Sequence, residues 1–123
     1  MWENDIIQKY PKTFKSLHYL ECNEGWKEII DEVSAKIEAV NNKYSPSSYI
    51  HAAQIKQKFG GLRYYINIED IDEQDVKYVY DVIAEAESKS FTVCEVCGQH
   101  ASSAKDRRYY IETLCDEHRI SRR

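Results

Sequence analysis

The sequence lacks any apolar run near the roughly 18 residues that a membrane span requires, and its first ten residues lack the basic-then-apolar layout of a secretory signal peptide. It also lacks a surplus of basic residues, because its formal net charge is −4. The first two absences predict a cytoplasmic protein without membrane association. The third argues against broad affinity for nucleic acid, although it is compatible with a local basic patch. With 123 residues, the chain is long enough for one compact domain with its own core.

Cysteine is scarce in the first three quarters of the chain and clustered in the last. Cys22 stands alone, and the remaining cysteines are Cys94, Cys97 and Cys115. Thiols stay reduced in the cytoplasm, so such a cluster is more often a set of metal ligands than a set of disulfides. Charge changes at the same place, since residues 1–90 carry 11 basic and 16 acidic side chains and residues 91–123 carry 6 and 5. We therefore expect a core over residues 1–90 and a metal-binding module, packed on that core, over residues 91–123.

Hydrophobic periodicity predicts two helices in the core. The first follows an apolar arm over residues 1–20 and spans residues 25–40, with Asn23 as its N-cap. Its apolar positions, three and four residues apart, are Trp26, Ile29, Ile30, Val33, Ile37 and Val40. The second helix spans residues 72–89, and its cap is Asp72, followed by acidic residues that suit the positive end of the helix dipole. Its expected buried stripe consists of Val76, Val79, Tyr80, Ile83 and Ala86 or Glu87.

Between these helices, residues 53–68 predict a β-hairpin, so the expected fold class is α+β. A Gly60-Gly61 loop suits the two-residue turns that need positive φ at both positions. The implied register places Phe59 opposite Leu62, Gln57 opposite Tyr64, Ile55 opposite Ile66 and Ala53 opposite Ile68. The other face is polar and basic, with Lys56, Lys58, Arg63 and Tyr65. That face is either an ordinary solvated sheet surface or a partner-binding surface that contacts phosphates and stacks on bases.

The most specific chemical pattern is a C-x₂-C pair followed after seventeen residues by a C-x₂-H pair. Its members are Cys94, Cys97, Cys115 and His118. Zinc takes four sulfur or nitrogen ligands at tetrahedral angles, and a two-residue spacer lets a tight turn aim two side chains at one point. Gly98 fits such a turn because glycine adopts positive φ without strain. A strand over residues 107–114 and a short helix starting near Cys115 would complete a treble-clef module, with a zinc ribbon as the alternative. We expect one structural zinc ion per chain.

Other interpretations of this region remain open. A redox C-x₂-C motif needs no further ligand, but such motifs usually lie between a strand and a helix of a larger α/β sheet. A catalytic zinc keeps an open position beside three protein ligands, whereas this set is complete at four. His100 is an alternative ligand, although it lies three residues after Cys97 and is expected to face solvent. A deaminase would need a His-x-Glu pattern and a proline before the first cysteine, and neither is present.

Single candidate residues elsewhere have simpler structural explanations, and no catalytic residue is predicted. His18 and His51 have no carboxylate or nucleophile in a recognisable pattern nearby, so each is expected to be structural or on the surface. Cys22 is expected to pack as a small apolar side chain beside Trp26. The acidic run over residues 69–75 lacks the glycine and the terminal glutamate of a calcium loop, so a solvated helix start is the better interpretation.

Several short segments of the sequence occur together in one known group of proteins. They are ECNEGW at residues 21–26, QIKQKFGGLRYYI at residues 54–66, CEVCG at residues 94–98 and TLCDEH at residues 113–118. With them the chain resembles a family of small, largely uncharacterised proteins encoded in phages and prophages, which combines an EC-x-x-GW segment, a K-x-KFG-x-LR-[FY] hairpin and a C-terminal Cys₃His zinc module. One departure is Tyr109-Tyr110, where the family has glycine-tryptophan. The resemblance covers residues 20–118 and implies a phage-related setting in the host cytoplasm, without an implied activity.

The sequence as a whole favours a non-enzymatic, zinc-stabilised binding protein. It would modulate a host or viral macromolecule through protein–protein contact, with host defence as one setting. A nucleic-acid-binding module that uses the basic hairpin face is the alternative, and a small enzyme such as a nuclease is the weakest one. The face extends further only if the C-terminal module folds against the hairpin. The residues that would extend it are Arg107, Arg108, Arg119, Arg122 and Arg123.

Overall fold

The computed structural model describes residues 1–105 and 110–121, and it has the α+β class that the sequence predicts. In chain order the elements are α1 (Trp2–Lys9), a 3₁₀ turn (Glu24–Trp26), α2 (Lys27–Asn41), β1 (Tyr49–Lys58), β2 (Gly61–Glu69), α3 (Glu73–Ser90), β3 (Ser102–Lys105), β4 (Ile111–Leu114) and α4 (Asp116–Ser121). The strands form two antiparallel hairpins, β1–β2 and β3–β4. Across these ranges no helix combines the length and the apolar character needed to cross a membrane.

The main core lies between α2, α3 and the inner face of the β1–β2 hairpin. All six apolar positions predicted for the first helix are buried, and Trp26 and Ile37 have no exposed surface. The hairpin contributes Ile55, which is also fully buried. A buried hydrogen bond of 2.8 Å joins the hydroxyl groups of Ser34 on α2 and Tyr64 on β2. Removal of apolar side chains from water is the main favourable term in holding these elements together.

The N-terminal arm packs against α2 and β1 of the same chain. Ile6 and Phe14 enter the main core. The Glu38 carboxylate on α2 accepts hydrogen bonds from both the backbone N–H and the hydroxyl of Thr13, each at 2.8 Å. The carbonyl of Thr13 in turn accepts a hydrogen bond of 2.8 Å from the N–H of Ala52 on β1. These contacts place the arm beside β1, where it satisfies backbone groups that a two-stranded hairpin would leave unpaired.

Both predicted N-cap residues stand at helix starts, but neither side chain makes a capping hydrogen bond. Asn23 precedes the 3₁₀ turn, and its own N–H donates to the Glu95 carboxylate at 3.1 Å. The N–H of Gly25 donates to the backbone carbonyl of Glu95 at 2.7 Å. Free N–H groups at a helix start need acceptors. Here a residue far along the chain supplies the acceptors, in place of the Asn23 side chain that the sequence predicted.

The β1–β2 hairpin is present, but the predicted register is wrong. Its turn is formed by Phe59 and Gly60, whose φ angles are 55° and 82°, and Gly61 already belongs to β2. The observed pairs are Lys58 with Gly61, Gln57 with Leu62, Lys56 with Arg63, Ile55 with Tyr64, and Gln54 with Tyr65. Beyond a bulge at Ala53, Ala52 pairs with Ile66 and Ile50 with Ile68. Ala53 itself is exposed, although it was expected on the apolar face.

Tertiary packing explains the shifted register. A Cβ atom on Gly61 would lie 2.5 Å from the ring of Phe91, so close packing requires this glycine inside the strand rather than in the turn. The Ser90 hydroxyl at the end of α3 accepts a hydrogen bond of 2.9 Å from the N–H of Leu62. Phe59 is consequently 62% exposed at the turn, where the prediction had placed it opposite Leu62 in the apolar face.

The buried stripe of α3 differs from the prediction at Tyr80, and two other predicted members, Val76 and Ile83, are only half-buried. Val79 and Ala86 are buried as expected, but Tyr80 is 52% exposed. Val82 takes the place assigned to Tyr80 and is buried. The helical period explains this, because residues three, four and seven positions after Val79 share its face whereas the next residue does not.

Candidate metal centre

Cys94 and Cys97 lie on a tight turn that follows α3. The N–H of Cys94 donates to the carbonyl of Gln99 at 2.7 Å, and the N–H of Gly98 donates to the carbonyl of Cys94 at 2.8 Å. Gly98 has a φ of 85°, which side chains of L-residues rarely adopt. The prediction that this glycine permits the turn is therefore confirmed. We call residues 94–98 the knuckle.

The second ligand pair reaches the knuckle through the β3–β4 hairpin and α4. β4 ends at Leu114, so Cys115 immediately precedes α4 and His118 lies within its first turn. The N–H of Glu95 in the knuckle donates to the carbonyl of Thr113 on β4 at 3.1 Å. Knuckle, hairpin and helix follow one another in the order expected of a treble-clef module.

The donor atoms of the four predicted ligands converge on one point, and all of them lie within 4.8 Å of one another. Cys97 Sγ is 3.7 Å from Cys115 Sγ, and His118 Nδ1 is 3.6 Å from Cys94 Sγ and 3.2 Å from Cys115 Sγ. A tetrahedral zinc ion with bonds of about 2.3 Å to sulfur and about 2.0 Å to nitrogen separates two sulfurs by about 3.8 Å and sulfur from nitrogen by about 3.5 Å. The first two distances agree with these values, and the third is somewhat shorter. The cluster therefore fits a single metal ion.

The cluster is buried on one side and open on the other. Cys94 has no exposed surface and Cys115 is buried, whereas Cys97 is exposed. Burial by itself raises the pKa of the Cys94 thiol. Hydrogen bonds from backbone N–H groups, first that of Cys115, outweigh burial and lower this pKa to about 6. The thiolate, which is the form that binds metal, therefore dominates at neutral pH at this position.

The start of the first helix packs directly on the knuckle. A Cβ atom on Gly25 would lie 2.1 Å from the carbonyl oxygen of Cys94, so only glycine fits at this contact. The next residue, Trp26, donates its indole N–H to the carbonyl of Val93 at 2.8 Å. Since the Trp26 ring is fully buried in the main core, the ECNEGW segment connects that core to the metal-binding region.

The turn of the β1–β2 hairpin packs on the β3–β4 hairpin. Thr113 is fully buried, and its hydroxyl donates to the carbonyl of Gly60 at 2.6 Å. A Cβ atom on Gly60 would lie 3.1 Å from the side chain of Ile111 and 3.2 Å from the hydroxyl oxygen of Thr113. The KFGG segment thus makes a second contact with the metal-binding region, through Thr113, whose carbonyl accepts the hydrogen bond from Glu95.

The remaining histidines lie away from the cluster. His100 and His18 are exposed, as expected. His51 stacks on the ring of Tyr49 with centroids 3.8 Å apart, and burial, together with the positive charge of Lys15, lowers its pKa. None of these three side chains belongs to the group of donor atoms within reach of one metal ion.

Cys22 and the acidic run have the structural roles that the sequence predicts. Cys22 packs against the main core, and burial, reinforced by the charges of Glu95 and Glu3, raises its pKa to about 12. It is therefore a poor nucleophile at neutral pH. In the acidic run, the Asp75 carboxylate accepts hydrogen bonds from Lys43 at 2.8 Å and from the Tyr44 hydroxyl at 2.6 Å. Within residues 1–105 and 110–121 no carboxylates converge as a calcium loop would require.

The polar hairpin residues share one face of the β1–β2 hairpin, as predicted. Lys56 is opposite Arg63, and its ammonium group lies 5.9 Å from the centroid of the Tyr65 ring. Lys58 is at the turn, with its ammonium group 5.6 Å from the centroid of the Phe59 ring.

Only one of the five arginines predicted to extend this face lies within the described residues. Arg107, Arg108, Arg122 and Arg123 lie outside the described residues. Arg119 donates to the backbone carbonyls of Ser102, Glu112 and Leu114, so it braces the C-terminal hairpin. The strand predicted over residues 107–114 is observed over Ile111–Leu114; Tyr110 precedes it, and residues 107–109 lie outside the described part of the chain.

Sequence reasoning missed three residues that support the cluster. They are Gly25, Glu95 and Thr113. The glycine in front of a buried tryptophan is a signal of close packing, but it does not name the neighbour. Glu95 is 5% exposed and Thr113 is fully buried, and no local pattern distinguishes them from solvated residues.

Comparison with known proteins adds nothing to this geometry. No protein-family model, curated protein or solved structure significantly matches the chain.

Proposed function

We propose that Cys94, Cys97, Cys115 and His118 bind one zinc ion that stabilises the last third of the chain. The observation that carries this proposal is the convergence of their donor atoms within 4.8 Å. Thiolate and imidazole donors suit zinc, whereas magnesium and calcium take oxygen ligands.

In this proposal the zinc is structural. A catalytic zinc keeps one position for water or substrate, whereas four protein donors complete a tetrahedral shell. The apolar cluster of the C-terminal region is small, and its buried members are Cys94, Ala101, Leu114 and Cys115. Since two of these are ligands themselves, metal bonds would supply most of the local stability.

Metal analysis of the purified protein tests the site. We expect one zinc ion per chain by native mass spectrometry and none in Cys115→Ser. The matched control is Cys22→Ser, which removes a thiol outside the cluster and should keep one zinc ion. A well-folded wild-type protein without metal would overturn the site and support the redox interpretation, and full occupancy by another metal would overturn the assignment to zinc.

For the protein as a whole, we propose a non-enzymatic, phage-related binding role that modulates a host or viral macromolecule through protein–protein contact. The phage setting is supported by the sequence resemblance alone. The protein contact is supported by α3, where Tyr78 and Tyr80 are 46% and 52% exposed. Tyrosine offers a large apolar ring with a polar tip and is enriched at protein interfaces. The exposed Tyr80 side chain would thus contact a partner protein rather than pack in the core.

Purification of the tagged protein from host cells that carry a related phage tests this role. We expect one protein in stoichiometric amount in native mass spectra, and its loss in the double variant Tyr78→Ala with Tyr80→Ala. The control is Tyr19→Ala, because Tyr19 is an exposed tyrosine of the arm, away from α3. Recovery of nucleic acid without any protein would overturn the protein–protein contact.

A further inference from the structure

Apart from Lys105 and Arg119 of the C-terminal region, the lysines and arginines of the described residues divide into two groups according to their partners. One group forms ion pairs on the helical side: Lys9 with Asp31, Lys27 with Glu24, Lys36 and Lys89 with Glu32, Lys43 with Asp75, and Lys77 with Asp81. The other group lies on the arm and the β1–β2 hairpin, and within the described residues its members form no ion pair. They are Lys12, Lys15, Lys56, Lys58 and Arg63. In a chain with net charge −4, this segregation creates a local positive field.

The arm and the hairpin contribute to one surface. Ile50 and Ala52 of β1 are buried, so the alternating residues Tyr49 and His51 face outward. Lys12 and Lys15 of the arm line the same cleft as Tyr49 and His51, with a volume of about 210 Å³. None of the described residues that line this cleft is acidic.

On the hairpin, the surface continues past the bulge to the basic residues. Lys56 and Arg63 are cross-strand partners, and Arg63 Nε is buried without an acceptor among the described residues. The acidic neighbours of this surface include Glu69, the cross-strand partner of Tyr49, and Asp70, whose carboxylate accepts a hydrogen bond from the Ser48 hydroxyl at 3.2 Å. Beside Lys56 lies Glu21, whose carboxylate accepts a hydrogen bond from Gln54 at 2.9 Å. Glu21 is therefore engaged with an amide rather than with one of the cations.

Two aromatic rings are accessible along this surface. Tyr65 is 41% exposed beside Lys56, and Phe59 is 62% exposed beside Lys58. Four residues of β2 lie between Tyr65 and Gly60 of the turn, so the two are about 17 Å apart at strand spacing. Because stacked bases are about 3.4 Å apart, each ring has room for a different base.

We propose that this arm–hairpin surface binds single-stranded nucleic acid. Lys12, Lys15, Lys56 and Arg63 contact phosphates, and Tyr65 and Phe59 stack on bases. The exposed rings favour a single strand over a duplex, in which the base faces are already stacked. They also favour it over an acidic peptide, whose carboxylates use the cations but not the rings. The surface is distinct from Tyr78 and Tyr80 of α3, which are proposed to contact a protein partner, and does not depend on them.

Fluorescence anisotropy with the zinc-loaded full chain tests this proposal. The probes are an oligothymidylate and an oligouridylate of about 12 nucleotides, a duplex of equal length and an oligoglutamate of equal charge. We expect either single strand to bind at least about tenfold more tightly than the duplex or the peptide. Three to five phosphate contacts predict a slope of log K against log salt of about −2 to −3.5.

Variants separate the charges from the rings. The pair Lys56→Ala with Arg63→Ala should weaken binding of the single strand at least about tenfold at low salt and reduce the salt slope by about 1.4. Lys36→Ala with Lys77→Ala removes the same charge from the helical side and should change affinity less than about twofold. Tyr65→Ala should lower the affinity for the single strand at least about fivefold, whereas Tyr65→Phe keeps the ring and should keep the affinity. Zinc content and far-UV circular dichroism check each variant for folding.

Several results would overturn the proposal. They are absence of binding to both single strands at low salt, equal affinity for the duplex or the oligoglutamate, and equal losses in the hairpin pair and the helical-side pair. If the variant pair at Lys56 and Arg63 fails to fold, Lys12→Ala with Lys15→Ala removes the same charge from the exposed arm. That pair should also weaken binding at least about fivefold, and an unchanged affinity would overturn the proposal as well.

Discussion

Two regions of this molecule rely on different interactions. The first 90 residues bury a cluster of 18 apolar side chains between two helices and a hairpin. The C-terminal region has a cluster of four, of which Cys94 and Cys115 are also candidate metal ligands. At roughly 25 cal/mol per Å² of buried apolar surface, the second cluster contributes far less to stability than the first. The comparison teaches that one short chain combines a region stabilised by its apolar core with a region whose small apolar cluster is built around a candidate metal site.

The two regions are nevertheless joined by two contacts. Gly25 packs against the carbonyl of Cys94, and Thr113 donates a hydrogen bond to the carbonyl of Gly60. These contacts determine how far a change in one region reaches the other.

The largest expected effect is that of removing the metal. A structural zinc ion contributes roughly 10–16 kcal/mol of binding free energy at pH 7, so chelation or Cys115→Ser should unfold the C-terminal region. Hydrogen exchange should become fast at amides 93–101 and 111–115, while the interior amides of α2 keep their protection. Loss of protection in α2 as well would show that the first region also needs the metal.

A substitution in the main core should destabilise the first region and leave metal binding intact. Ile37 is fully buried, so Ile37→Ala should lower the free energy of unfolding by about 2–5 kcal/mol in chemical denaturation. The preceding residue, the partly exposed Lys36, provides the control. Lys36→Ala should lower the free energy of unfolding by less than about 1 kcal/mol. The folded fraction of Ile37→Ala should still bind one metal ion per chain. A variant that folds but loses the metal would contradict the division into two regions.

A substitution at the junction should affect both regions. A Cβ atom on Gly25 would meet the carbonyl of Cys94 at 2.1 Å, so Gly25→Ala must displace the knuckle or the helix start. We expect a loss of about 1–3 kcal/mol in unfolding free energy together with weaker zinc binding in a chelator competition. Glu24→Ala, at an exposed adjacent position, should change neither quantity measurably. If Gly25→Ala behaved like this control, the contact would not couple the two regions.

The smallest effect concerns a polar contact inside the main core. Tyr64→Phe removes the 2.8 Å hydrogen bond to Ser34 and should cost about 1 kcal/mol at pH 7. Burial raises the pKa of Tyr64, so the unfolded chain loses this proton first and wild-type stability should fall as pH rises above about 10. Tyr64→Phe should remove that part of the alkaline loss, whereas Tyr80→Phe, on the surface, should not. Equal alkaline losses in wild type and Tyr64→Phe in denaturation at pH 9 to 11 would contradict this assignment.

Local patterns were sufficient where the physics is local. The stripe of the first helix was predicted correctly because a single face of a 3.6-residue period must be buried, and Trp26 to Val40 repeat that period without interruption. The four candidate ligands were identified because two-residue spacers aim paired donors at one point. On α3 the same reasoning chose Tyr80 over Val82, because several apolar residues stand close together and the sequence does not say which face meets α2.

By itself, therefore, the sequence determined the α+β class, the first helix, the existence of a hairpin and the residues of the metal cluster, all of which depend on spacing along the chain. Only the tertiary structure decided the register of the hairpin, because the ring of Phe91 leaves no room for a Cβ atom on Gly61. It also decided which groups complete the start of the first helix, since Glu95 supplies the acceptors expected from Asn23. Both depend on residues that are distant in sequence and adjacent only in the folded chain.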